Sequence, residues 1–238
     1  MLTNRLYSRT VSNRGGFTLV ELLVVIGIIA ILAGVALGPI TNGLRKAKQS
    51  SAMQSAHALG LAEFSAANDL NQVYPDASGG DASSIAKTLL AGGYVTDPSI
   101  FFIAGGTAVK YTGAAASAVS GILVGNMSWD FLSDGGKGNL TTTVAPYLPL
   151  LWTTIAPAGG GTEPTTLTGS TAISGSCSGN TPGNPFGSNG MAIFYCNNSA
   201  AFVVSTSVSG GIGTVTMVST SNNQNSAPTG LAVLVGGG

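Results

Sequence analysis

Few side chains in this sequence could do chemistry, and their types narrow the choices quickly. There is one histidine, His57, and no Walker loop, dinucleotide fingerprint or G-x-S-x-G elbow to give the many serines a catalytic frame. His57 is therefore expected at a surface or a subunit interface, and no enzymatic activity is expected. The one loop that could hold a cation is the "SDGGKGN" stretch, where Asp130, Asp134 and Asn139 gather around Lys137. Calcium prefers several oxygen ligands, with two or more carboxylates in an ordered spacing. This stretch does not follow an EF-hand, so a solvated turn is expected there rather than calcium, and no cofactor is expected. Cys177 and Cys196 are the only cysteines and form no C-x-x-C motif. The acid in the least expected setting is Glu21, inside "RGGFTLVELLVVIGIIAILAGVALGPI", residues 14–40. A carboxylate placed in hydrocarbon costs about 2.5–3.5 kcal/mol on insertion scales, so its presence there needs a reason.

The element that positions Glu21 is a long apolar run. No charge occurs from Leu22 to Leu44, and a helix of that length spans roughly 34 Å, enough for a bilayer core. The leader ahead of it, Met1–Gly16, carries Arg5, Arg9 and Arg14 and no acid; behind it come Arg45, Lys46 and Lys48. With both flanks basic, charge counting leaves orientation open. A secretory signal would have a shorter apolar core and a small-x-small cleavage site. Ala36-Leu37-Gly38 fits such a site loosely, but Pro39 follows at once. A plain anchor explains the length of the run but neither Gly16 nor Glu21.

Gly16, then Phe17-Thr18-Leu19-Val20-Glu21, then the apolar helix, then Pro39 together resemble the opening of type IV pilins and type II secretion pseudopilins. The resemblance covers the leader, the apolar run and its flank. It implies cleavage between Gly16 and Phe17 by a prepilin peptidase, N-methylation of Phe17, and a role for Glu21 in assembly, where it meets the terminal amine of a neighbouring subunit. Elementary electrostatics agrees. Cleavage creates an ammonium at Phe17, a helix N-terminus favours a nearby carboxylate, and a buried charge pair is far less unfavourable than either charge alone. Losing the leader leaves six Lys+Arg against nine Asp+Glu, a formal side-chain charge of −3.

Beyond Arg45, residues Met53, Ala56, Gly60, Phe64 and Ala67 recur at helical spacing, a mostly small stripe suited to close packing. One helix from Phe17 to Asp69, roughly 78 Å long and kinked at Pro39, is expected to lie half in lipid and half under a head. Tyr74-Pro75-Asp76 reads as the first turn. A second helix is expected over Asp81–Leu90, capped by Asp81 or Ser83 and ended by Gly92-Gly93. Strands are expected at Ala108–Thr112, Met127–Leu132, Leu148–Ile155, Met191–Cys196, Ala201–Thr206 and Thr214–Thr220, with "NNSA" as a hairpin loop between the fourth and fifth. From Gly138 to Gly238 the only charge is Glu163; a β-rich region with long loops is expected there rather than a disordered tail. "LLAGGYVTDPSIFF" and "GSNGMAIFYCNNSAAFV" resemble, more loosely, stretches of secretion pseudopilins. In the second of these, Cys196-Asn197-Asn198 stands where the family has a polar turn with an aspartate and a histidine.

The expected fold is α+β, a long N-terminal helix on a mostly antiparallel sheet. The expected divisions are a leader over 1–16, a transmembrane and assembly helix over 17–44, and a head over 45–238. If the head is exported, as the resemblance implies, Cys177 and Cys196 read as one disulfide, worth about 3 kcal/mol in the chain-entropy model; two buried thiols are the alternative. The function implied is structural: a pseudopilus subunit that polymerises through its N-terminal helix with its own and other pilin-like subunits. Its partners would be the prepilin peptidase, an inner-membrane assembly platform and membrane lipid, with the head in the periplasm. A type IV pilin for adhesion or motility, and an anchored surface- or carbohydrate-binding module, are the alternatives. No basic patch points to nucleic acid.

Overall fold

The structure is a computed structural model, and it describes residues 16–75, 82–133, 140–144, 146–154, 173–178, 184–205, 207–209, 212–218 and 232–234. The chain divides into two compact units, residues 1–46 and 47–238.

Helix α1 runs without interruption over Leu19–Asp69, with Pro39 inside it. Its first part, in the first unit, is rich in Val and Ile and holds Gly27, Gly34 and Gly38, residues that are indifferent helix formers in water. In lipid such residues form helix readily, because every backbone N–H and C=O must be satisfied within the segment. Side chains from Leu19 to Leu44 are exposed on all sides, and α1 is long and apolar enough to cross a membrane. An exposed helix that is apolar all round needs lipid or neighbouring helices to cover it.

In the second unit the rest of α1 buries Ala52, Ala56, Leu59, Gly60, Ala62, Glu63, Ala66 and Ala67. The expected stripe is thus right at Ala56, Gly60 and Ala67 and displaced elsewhere: Met53 is only partly covered and Phe64 is 42% exposed. The buried face is centred on alanines and takes in Glu63. Gly60 lies against the ring of Phe194, with no room for a β-carbon. Lys48 ties the start of this part down, donating to the Pro185 carbonyl at 2.5 Å and standing 5.0 Å over the Phe186 ring. The helix ends where Asn71 and Gln72 take positive φ and Gln72 N–H donates to the Ala67 carbonyl, a left-handed stop of the usual kind.

Helix α2 covers Ala82–Ala91 and buries Ile85, Ala86, Leu89 and Leu90. It ends at Gly92-Gly93 as expected: Gly93 has φ +73°, and Tyr94 N–H reaches back to the Leu89 carbonyl, the Schellman pattern. Of its two expected caps, Asp81 lies outside the described residues and Ser83 is within the helix. A short helix, α3, follows at Ala115–Gly121.

The main sheet is antiparallel, in the order β5-β4-β2-β1-β8. Its strands are β1 (Trp129–Ser133), β2 (Pro149–Thr153), β4 (Gly190–Tyr195), β5 (Ser199–Val204) and β8 (Ala232–Leu234). Phe131 pairs with Leu151, Trp152 with Ile193, and Ile193 with Ala201. β1 and β2 are buried at every residue; Trp129, Phe131, Trp152 and Phe194, with Phe101, Ile122 and Met127, fill the core. A second sheet, β3-β7-β6, comprises β3 (Ile173–Ser178), β6 (Ser207–Ser209) and β7 (Ile212–Val218). The fold is α+β, as expected, and β2 to β8 all lie in the nearly uncharged stretch.

Two expectations are corrected. Ala108–Thr112 is not a strand: Val109 N–H donates to the Gly125 carbonyl, the Asn126 amide bonds the Val109 carbonyl, and the place beside β1 is held by β8. The hairpin turn between β4 and β5 is Cys196-Asn197-Asn198, with Asn198 at φ +64° and Ser199 N–H on the Asn197 side chain. This is the three-residue loop with a left-handed last position.

Candidate processing and assembly site

The residues that could do chemistry at the N-terminus lie within one turn of the start of α1, and all are exposed. Gly16, Phe17 and Thr18 are exposed just ahead of the helix and outside any regular element, and the space a β-carbon would take at Gly16 is open. A protease needs an accessible bond, and both residues of the Gly16–Phe17 bond are exposed. Phe17 is 75% exposed.

Thr18 caps the helix. Its N–H donates to Glu21 Oε2 at 2.9 Å and its hydroxyl donates to the same oxygen at 2.7 Å, while Glu21 N–H donates to Thr18 Oγ1 at 3.3 Å. Leu22 N–H closes the first turn on the Thr18 carbonyl. This is a capping box, in which an N-cap threonine and an acid three residues on satisfy each other's backbone donors. Glu21 also stands in the first turn, where the helix dipole favours negative charge. Both bonds from Thr18 fall on Oε2, which leaves Oε1 outside the capping box. Thr18 was readable from the T-x-x-E spacing itself, a signal independent of the charge argument that singles out Glu21.

The other expected residues are not gathered here. Pro39 sits inside α1 and supplies no amide to the carbonyl four residues earlier. His57, half-buried on α1, meets Phe194 edge-on with centroids 5.9 Å apart. Asp130 is fully buried within β1, while Asp134 and Asn139 lie outside the described residues. Cys196 is a half-buried thiol in the β4–β5 turn, and burial pushes it up to about 12. Cys177 is in β3 with its side chain outside the described residues, so the expected pairing lies outside them too.

No curated protein and no solved structure matches the chain. One family model does: the prokaryotic N-terminal methylation motif, over residues 11–37. That span contains Gly16, Phe17, the Thr18–Glu21 cap and most of the exposed apolar run, so this chain carries the N-terminal hallmark of type IV pilins and pseudopilins.

Proposed function

We propose that this chain is a structural subunit of a type II secretion pseudopilus. A prepilin peptidase cuts between Gly16 and Phe17, Phe17 is N-methylated, and the processed helix bundles with those of like subunits. Until assembly the apolar part of α1 holds the chain in the inner membrane, with the head in the periplasm and an assembly platform as its partner in the membrane. The observation that carries this reading is the start of α1: a capped, exposed terminus with one carboxylate oxygen outside the box, leading into an apolar stretch, Leu19–Leu44, with no covered face. Two needs are left open in the single chain, a cation for Glu21 and a cover for the apolar helix, and a second processed copy meets both.

Mass spectrometry of the mature N-terminus tests the processing. A chain beginning with methylated Phe17 is expected; one beginning near Pro39 would mean ordinary signal-peptidase cleavage. Deleting the gene then separates the two filament types. Loss of protein secretion with surface pili intact supports the pseudopilus, and loss of surface filaments with secretion intact makes the chain a type IV pilin.

A further inference from the structure

Glu63 lies on α1 well beyond the apolar stretch, inside the second unit, and is 2% exposed. Its neighbours on the buried helix face are Leu59, Gly60, Ala62, Ala66 and Ala67, none of which can donate from a side chain. Glu63 Oε1 has no hydrogen-bond partner. The titratable groups that face it from other elements are Tyr74, past the end of α1, and Cys196, in the β4–β5 turn. Both are themselves acids that burial keeps neutral, and among the described residues no cation acts on Glu63. Lys48, the cation nearest the head's end of the helix, is committed to the Pro185 carbonyl and the Phe186 ring. A buried carboxylate with no counter-ion and with one oxygen lacking any donor is strongly disfavoured.

We infer that Glu63 is a proton-operated latch at the seam between α1 and the main sheet. As the neutral acid it lets the alanine face of α1 lie against β4, where Gly60 meets Phe194. As the carboxylate it has no counter-ion and its Oε1 has no donor in the seam, and opening to water is what relieves it. The direction is the reverse of an ordinary salt-bridged acid. Burial holds the Glu63 carboxyl well above its unfolded value of 4.5, so the closed head keeps a proton that the open form releases. Stability of the seam is fully present below that unfolded value and falls as pH rises, until the raised folded-state value is passed. One proton gives a slope of up to about tenfold in the opening equilibrium per pH unit. Tyr74 and Cys196 ordinarily titrate above neutral and burial raises both further, so they do not contribute across the neutral range.

The test is hydrogen exchange on the full-length protein in detergent micelles, read at the amides of Gly190–Tyr195 and of α1 beyond Ala47, as protection factors corrected for intrinsic rates. In wild type, protection is expected to fall by up to about tenfold per pH unit on going from mildly acidic to mildly alkaline buffer. In Glu63→Gln, which keeps the shape and cannot ionise, that slope is expected to vanish. A flat wild-type profile, or an equal slope in Glu63→Gln, overturns the latch. Infrared spectroscopy of wild type keeps the idea testable if the variant fails to fold. A protonated-carboxyl band that persists at neutral pH and disappears as protection falls supports it; a fully ionised carboxylate set in the folded protein at neutral pH overturns it.

Discussion

At the level of single residues, two jobs fall on Glu21, and substitutions can pull them apart. It closes the capping box with Thr18, and under the proposed function it also supplies the charge that meets a neighbouring subunit. Glu21→Gln keeps the box, because an amide oxygen caps as a carboxylate does, but it loses the charge. Thr18→Ala does the converse, at a cost of roughly 0.5–2 kcal/mol in helix-start stability. If the charge joins subunits, Glu21→Gln and Glu21→Ala should insert normally into membranes yet give few or no sheared filaments by electron microscopy. Thr18→Ala should still form them. Loss of filaments in Thr18→Ala as complete as in Glu21→Gln would make the box a local device for starting the helix. A separate substitution, Gly16→Val, fills the open space beside the proposed cleavage point with a branched side chain. Full-length precursor should then accumulate on immunoblots, and normal processing would show that the peptidase does not read that position.

Among the elements, α1 presents the sharpest physical contrast. Its alanine face allows the helix to lie close on β4, and at Gly60 the Phe194 ring leaves no room for a β-carbon. Gly60→Ala gains about 1 kcal/mol in helix propensity and forces a β-carbon into that ring, an overpacking worth about 1–3 kcal/mol in the other direction. Net loss of head stability is expected, seen as a lower denaturant midpoint with an unchanged m-value. Gly43→Ala, with open space around it, serves as the control. This face also shows how far the sequence could be read. The helix, its end at Asp69, the Gly92-Gly93 stop and the β4–β5 hairpin are written in local spacing and turn residues, and they are legible. The exact face of α1 is not, because a pattern that seeks apolar residues avoids Glu63 and so swings toward Phe64, which is exposed. β3 is illegible for a related reason: Ile173 is its only β-branched residue, and its pairing with β7, not its composition, makes it a strand.

At the scale of the whole molecule, the head is built from two sheets whose strands carry almost no charge, so ion pairs have little part in joining them. Cys177 belongs to a strand of the three-stranded sheet and Cys196 to a turn of the five-stranded one. A disulfide formed after export would therefore cross-link the sheets rather than staple a single hairpin. Closing that loop stabilises by about 3 kcal/mol in the chain-entropy model. For a domain of this size each kcal/mol moves the melting midpoint by about 2–4 °C, so reductant should lower it by roughly 6–12 °C. Chemistry at Cys196 decides how the bond must be detected. Burial raises its thiol to about 12, so in the folded protein an unlinked Cys196 would resist alkylation at neutral pH and mimic a disulfide. Peptide mapping must therefore follow alkylation of unfolded, unreduced protein. A linked Cys177–Cys196 peptide together with a reductant-sensitive midpoint is the expected result. Both thiols labelling freely after unfolding, with a midpoint indifferent to reductant, would mean that packing alone holds the two sheets together.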